Sequence, residues 1–185
     1  MNYYKDVTNK WLKKANSNIK IISNAKYVIK NGKRYYVNKT NKIKHENIEV
    51  ENAKWFINTF GEKLLFLPKI NEDDNVSCAD YKYYPNGKNK GYFLEEKETI
   101  GKSKSVFYHS LERKSRQANI FLIDCTNSNF NEDEIYERVD KVFKSYETQY
   151  VKTIIIKNKN KLFGVFERKN KRWHLLNSER PSLTN

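Results

Sequence analysis

The chain has little of what would tie it together covalently or hold it in a membrane. Two cysteines occur in 185 residues, Cys78 and Cys125. They lie far apart, each in or beside an expected strand, which argues against a disulfide scaffold and suits reduced structural thiols. Histidine is nearly as sparse: His45, His109 and His174 fall into no ligand spacing, so a zinc site is not expected. No run approaches the roughly 18–20 apolar residues of a membrane span, and residues 1–4 do not begin an apolar leader core. Internal repeats and long low-complexity tracts are absent as well. Acidic charge is the remaining shortfall. With 36 Lys and Arg against 22 Asp and Glu, the net charge is +14, and such a surface favours a polyanionic partner such as nucleic acid. An abundance of Lys, Asn, Ile and Tyr is also what an AT-rich genome produces, so charge alone does not name that partner. A soluble domain working in cytoplasm, without a membrane partner, is expected.

Residues 3–15 place Tyr4, Val7, Trp11 and Leu12 at helical spacing, and residues 25–37 read as two strands joined at Asn31-Gly32. Together they predict a small N-terminal helix-and-hairpin appendage over residues 1–45, ending in a polar, basic linker at 40–45. The main domain is expected over residues 46–173, with a polar tail at 174–185. Over residues 48–60, Glu49, Ala53, Phe56 and Phe60 share one helical face, and Gly61 follows as a C-cap. Glu49 is a carboxylate in line with an apolar stripe. A short strand at 63–67 and an acidic loop at 71–75 precede a hairpin, whose strands at 79–84 and 91–97 flank the turn Pro85-Asn86-Gly87. A helix at 105–118 leads into a buried-type strand at 120–123. A second helix at 131–148 puts Ile135, Val139, Val142, Phe143 and Tyr146 on one side, with Glu132, Asp133 and Glu134 at its positive end. Strands at 151–157 and 162–167 close the domain. The order α-β-β-β-α-β-α-β-β implies an α/β (α+β) fold, a mixed central sheet flanked by helices.

Alternation along a strand sends Phe93, Glu95 and Lys97 to one face and Tyr92, Leu94 and Glu96 to the other. Pairing with the preceding strand brings Asp80 close to Glu95, and two hard carboxylates suit Mg²⁺ or Mn²⁺. Such an ion polarises a phosphodiester and acidifies a bound water, while Lys97 positions that water or stabilises charge at phosphorus. The same acids also fit a plainer description, with Asp80 capping a turn and residues 95–98 forming the charged face of an edge strand. Tyr81, Tyr83, Tyr84 and Tyr92 are either platforms for unpaired bases or ordinary sheet packing. His109 shows no partner in sequence and reads as structural.

Five segments spanning residues 48–169 add a resemblance: IEVENAKWFINTFGEKLLFLPKI, SCADYKYY, FLEEKETIGKSKS, SLERKSRQANIFLID and VKTIIIKNKNKLFGVFERK. In order and spacing this stretch resembles the tRNA-cleaving C-terminal domains of contact-dependent growth inhibition (CdiA-type) toxins and related phage and mobile-element toxins, of the PD-(D/E)xK nuclease superfamily. The resemblance implies a PD-(D/E)xK fold and a divalent-metal-dependent endoribonuclease toxin that cleaves tRNA by phosphodiester hydrolysis. It implies that Asp80 and Glu95 hold Mg²⁺ or Mn²⁺, that Lys97 completes the motif, that Glu49 assists the metal or its water shell, and that Gln117 contacts the substrate or the site. Lys102, Lys104, Arg113, Lys114 and Arg116 are the expected phosphate contacts. The implied partners are tRNA and an acidic cognate immunity protein, with action in the bacterial cytoplasm after delivery as part of a larger toxin. Where the family often has Pro before the acid, this chain has Ala79, and Glu96 remains an alternative to Glu95 as ligand. A DNA endonuclease on the same scaffold, a non-catalytic basic nucleic-acid-binding protein of a mobile element, and a metal-independent ribonuclease with a barnase-like sheet are the competing readings.

Overall fold

Strand β8 (Ile120–Asp124) is buried at every position, and its side chains divide between two cores. Ile120 and Leu122 join one apolar cluster, while Phe121 and Ile123 join the other. A strand buried on both faces belongs at the centre of a layered fold, where helices cover the sheet on each side. The computed structural model describes residues 3–15, 18–30, 32–36, 47–68, 78–85, 90–101, 106–114 and 116–169. The expected linker at 40–45, the acidic loop at 71–75, the turn residues Asn31, Asn86 and Gly87, His45, His174, Lys102, Lys104 and the tail at 174–185 lie outside the described residues.

Among the described residues the remaining strands are β1 (Tyr4–Asp6), β2 (Lys20–Asn24), β3 (Tyr27–Lys30), β4 (Lys33–Tyr36), β5 (Glu62–Phe66), β6 (Tyr81–Tyr84), β7 (Tyr92–Glu98), β9 (Thr153–Asn158) and β10 (Lys161–Arg168). The helices are α1 (Thr8–Lys14), α2 (Asn47–Phe60), α3 (Val106–Lys114) and α4 (Glu132–Lys144). Eight strands form one mixed sheet in the order β1-β10-β9-β8-β7-β6-β5-β2, and β3 and β4 form a separate hairpin. β7, β8 and β9 run parallel to one another, with α3 and α4 as the crossovers between them. The expected mixed sheet flanked by helices is the observed architecture, and the main-domain element order is reproduced.

Helix α2 packs Ala53, Phe56, Ile57 and Phe60 onto one face of the sheet, against Leu64, Tyr81, Tyr83, Leu94 and Leu122. Helices α3 and α4 pack Phe107, Leu111, Ile135, Val139, Val142 and Phe143 onto the other, against Phe121, Ile123, Ile154 and Phe166. Each fully buried Phe, Leu or Ile contributes about 1.5–3 kcal/mol of hydrophobic stabilisation. Gly61 ends α2 with φ +72°, and its amide donates to the Ile57 carbonyl at 2.8 Å, the left-handed C-cap its position suggests. Asn131 and Glu134 form a reciprocal capping box at the start of α4, which satisfies amides that the first turn leaves unpaired.

Four expectations need correction. Tyr4 is not in a helix: Tyr4–Asp6 pairs antiparallel with β10, Tyr4 opposite Arg168, and α1 begins only at Thr8. The helix expected to reach Ala118 ends at Lys114, which leaves Gln117 in the turn before β8. The helix expected to reach residue 148 ends at Lys144, so Tyr146 lies beyond it and is exposed. The N-terminal region is not wholly an appendage. β1 and β2 form the two edges of the large sheet, and β2 pairs parallel with β5, Ile22 opposite Leu64. The hairpin β3–β4, with Gly32 at φ +76°, is present as expected.

Candidate active site

Strand β7 has apolar residues at its start and acids at its centre. Leu94, Glu95 and Glu96 are all buried. Burying two adjacent carboxylates is costly unless each meets partners, and the two meet different ones because they face opposite sides of the sheet.

On the α3 side, Glu95 Oε1 lies 2.7 Å from Lys97 Nζ, two residues along the same strand face, and 3.7 Å from Lys114 Nζ at the end of α3. Glu95 Oε2 is buried and has no hydrogen-bond partner among the described residues. Lys114 also donates to Gln117 Oε1 at 3.1 Å, so the turn after α3 is tied to the same carboxylate. The register Tyr81↔Leu94 and Lys82↔Phe93 between β6 and β7, continued by one residue, sets Asp80 opposite Glu95 on that face. The Glu96 amide donates to Asp80 Oδ2 at 2.9 Å. Burial first, and the Glu95 charge second, push the Asp80 carboxyl up to about 6, against the pull of the Glu96 amide and Lys97.

On the α2 side, Glu96 Oε1 accepts from Asn52 Nδ2 at 2.6 Å. Asn52 Oδ1 accepts from Lys157 Nζ at 2.6 Å, and Lys157 Nζ also donates to Asp124 Oδ2 at 2.7 Å. This buried chain crosses α2, β7, β9 and β8 beneath the helix. The Tyr81 hydroxyl lies 2.5 Å from Glu96 Oε2 and 2.8 Å from the Glu49 carbonyl. One hydroxyl proton cannot serve two acceptors fully, so both contacts are satisfied together when Glu96 is protonated and donates to Tyr81. Burial pushes Glu96 up to about 7, although the Tyr81 and Asn52 hydrogen bonds pull it down and the Asp80 and Glu49 charges add to the rise. Burial also lifts the Tyr81 hydroxyl far above its usual range, so it remains a neutral donor. Burial acts upward on Asp124 too, but hydrogen bonds from Lys157 and Thr126 outweigh it and hold that carboxyl below its ordinary value.

The structure thus gathers Glu95, Lys97, Lys114 and Gln117 into one cluster, with Asp80 held by the Glu96 amide within electrostatic reach of Glu95 and Lys97. Glu49 approaches from the first turn of α2: its main-chain carbonyl meets Tyr81, and its charge raises both Asp80 and Glu96. Arg113 and Arg116 are exposed. Lys114, expected to contact phosphate, lies within 3.7 Å of Glu95 and is half-buried. Tyr81 and Tyr83 are buried in the α2-side core and are not stacking platforms, whereas Tyr92 is exposed. His109 Nδ1 sits 2.9 Å from Glu112 Oε2, one turn along its own helix. Neither Cys78 nor Cys125 is in a disulfide.

Sequence reasoning missed Asn52, Asp124 and Lys157. Two of them carried a signal: Asp124 and Lys157 each follow a run of buried-type apolar residues in a central strand, where a charge demands a partner. Asn52 lies three residues after Glu49 on the same helical face, but an asparagine there reads as ordinary surface.

Among the described residues, no group of three or more His, Cys, Asp or Glu side chains is arranged to hold a metal. Two carboxylates, one of them with a buried oxygen that has no partner among the described residues, nevertheless suit Mg²⁺, which is commonly bound through one or two carboxylates and keeps several waters. No helix among the described residues is long and apolar enough to cross a membrane.

No protein-family model matches the sequence, and no curated protein matches it. Among solved structures, the chain is similar to a CdiA-CT/CdiI toxin and immunity complex from Burkholderia pseudomallei, with 14% identity, a TM-score of 0.48, and coverage of 80% of this chain and 99% of that one.

Proposed function

We propose that this chain is a divalent-metal-dependent endonuclease that hydrolyses phosphodiester bonds in tRNA and acts as a toxin. The observation that supports the reading is the pairing of Asp80 with Glu95, with Lys97 Nζ 2.7 Å from Glu95 Oε1 and Glu95 Oε2 buried without a partner among the described residues. A buried carboxylate oxygen left unsatisfied costs stability, and Asp80 and Glu95 would hold a cation that satisfies it. Mg²⁺ or Mn²⁺ in that position supplies Lewis acidity at a phosphoryl oxygen and lowers the pKa of a bound water. The residues of the chain do the rest. Asp80 is held in place by the Glu96 amide, Lys97 brings positive charge to the strand face where phosphate charge would build up, and Lys114 orients Glu95 and Gln117 together. The choice of tRNA, the toxin role and an acidic immunity partner rest on the sequence resemblance.

The test is to incubate the chain and its Asp80→Ala variant with total tRNA and with plasmid DNA, each in Mg²⁺ and in EDTA, and to resolve the products on a denaturing gel. Discrete tRNA fragments that require both Mg²⁺ and Asp80 are expected. Cut DNA with intact tRNA would replace the substrate, activity surviving EDTA would remove the metal, and intact nucleic acid in every lane would overturn the proposal.

A further inference from the structure

At the end of the sheet where β7 begins, α1 and the ends of β6, β8, β9 and β10 enclose a cavity of about 520 Å³, within the roughly 300–1,000 Å³ range of small-ligand sites. Its lining combines two chemistries. Trp11, Tyr83, Tyr92 and Phe93 supply aromatic surface, and Lys10, Lys14, Lys90 and Lys152 supply positive charge, opposed by Glu167 alone. Trp11 is fixed in place: its ring packs edge-on against Phe60 at 5.4 Å and stacks near Tyr83 at 6.3 Å, and its Nε1 donates to Glu167 Oε1 at 3.3 Å. Glu167 is itself within 3.8 Å of Lys5 and of Lys10. Lys14, Lys90, Tyr92 and Lys152 are exposed, so cations and an aromatic ring face solvent at the rim.

Phe93 and Asn119 of this cavity also line a second one of about 300 Å³, which runs past Cys78, Ala79, Arg116 and Gln117. The second cavity therefore borders Asp80 in sequence and contains Gln117, which Lys114 links to Glu95. The two hollows share Phe93 and Asn119 as a wall at the start of β7, two residues before Glu95. Aromatic faces take the π-surface of any base, and lysines at a rim take phosphates without regard to sequence.

We infer that the larger cavity holds an unpaired nucleotide of the nucleic-acid substrate, at the end of the sheet where β7 begins and away from the bond that Asp80 and Glu95 act on, with its base against Tyr92 and Trp11 and its phosphates at Lys14, Lys90 and Lys152. This rests on the phosphodiesterase reading for the direction of the strand, but not for the existence of the binding site. A paired base cannot enter such a hollow without leaving its stack, so the site selects single-stranded loops or ends.

The test measures fluorescence anisotropy of a labelled ten-nucleotide single strand in EDTA, where no metal-dependent cleavage can occur, against the same sequence in a duplex. Tyr92→Ala and the double variant Lys14→Gln/Lys152→Gln alter exposed side chains and leave the Asp80–Glu95 pair intact. The single strand is expected to bind more tightly than the duplex. Tyr92→Ala is expected to weaken it about fivefold to a hundredfold, the range for loss of a base–aromatic stack, and the lysine variant to lower the slope of log K against log salt by about 1.4, from two phosphate contacts at about 0.7 each. Equal binding by wild type and both variants, or equal affinity for strand and duplex, overturns the inference. Circular dichroism of each variant excludes misfolding as the cause of any loss. Variant-sensitive binding by a wild-type chain that cuts nothing in Mg²⁺ would sink the nuclease reading and leave the pocket. Asp80-dependent cutting with variant-insensitive binding would do the reverse.

Discussion

The main-chain amide of Glu96 donates to Asp80 Oδ2 at 2.9 Å, while the Glu96 side chain points to the opposite face of the sheet and joins Asn52 and Tyr81. One residue of β7 therefore couples the two faces. Its backbone orients the acid on the α3 side, and its carboxylate is anchored in a buried polar chain on the α2 side.

That division yields a discrimination between adjacent acids. Glu95→Gln is expected to abolish stabilisation by Mg²⁺, whereas Glu96→Gln keeps it. At a metal concentration 100 times the dissociation constant, the stabilisation at stake is about 2.7 kcal/mol. Thermal unfolding of each variant with and without Mg²⁺ reads it directly, and retention of the shift in Glu95→Gln would show that Glu95 is not a ligand.

Lys97→Met should reduce cleavage by about 10²–10³-fold, the usual result of removing one preorganised positive donor from a charged transition state. In EDTA it should also destabilise the fold by about 2 kcal/mol, because Glu95 loses its shortest charged partner and is buried. Single-turnover cleavage and urea denaturation separate the two effects, and a variant with normal single-turnover cleavage would exclude Lys97 from the chemistry.

Metal-free stability should fall as pH rises from 5 to 8. Asp80 and Glu96 have folded pKa values of about 6 and about 7, above the values near 4 of an unfolded chain. The folded state holds protons that the unfolded state has already released, so its extra stability is complete below pH 4 and is lost as pH climbs through 6 and 7. Glu96→Gln should flatten the upper part of this profile, by an amount on the order of 3 kcal/mol between pH 5 and 8. Urea titrations in EDTA at four pH values would measure it, and a profile unchanged by the substitution would contradict the assignment.

Asn52→Leu should cost about 1–3 kcal/mol, because it removes one of the two polar partners of buried Lys157 and one of the two of buried Glu96, leaving Asp124 and Tyr81. Restoring a donor and an acceptor with Asn52→Gln should recover part of the loss. Equilibrium denaturation of the two variants compares them; equal stability in Asn52→Leu and wild type would mean that water replaces the amide without penalty.

Much of the sheet was legible along the chain. Ile120, Phe121, Leu122 and Ile123 form a short, wholly apolar run, which only a central strand buries on both sides, and the α2 stripe of Ala53, Phe56 and Phe60 repeats at helical spacing. Helix ends were less legible. Gln117 looked helical, yet α3 stops at Lys114, where the chain must turn to enter β8. Tyr4 at helical spacing to Val7 and Trp11 became a strand because its partners, the main-chain groups of Arg168, lie at the far end of the chain. No local pattern reports such a pairing. β2 was invisible for a related reason. All five of its side chains are exposed, so it has no alternation to read, and main-chain pairing with β5 places it.

For the candidate site, strand alternation alone put Glu95 and Lys97 on one face, because successive side chains point to opposite sides whatever the fold. The hairpin pattern likewise placed Asp80 near Glu95, since antiparallel register follows from a local turn. The tertiary structure decided what surrounds them: Lys114 turned toward Glu95, an oxygen of Glu95 left buried without a partner among the described residues, and Glu96, Asn52, Lys157 and Asp124 joined across four elements beneath α2. Local geometry sets the direction of a side chain, but its dielectric surroundings and partners depend on segments a hundred residues away, and these exist only once the sheet has closed between its two helical layers.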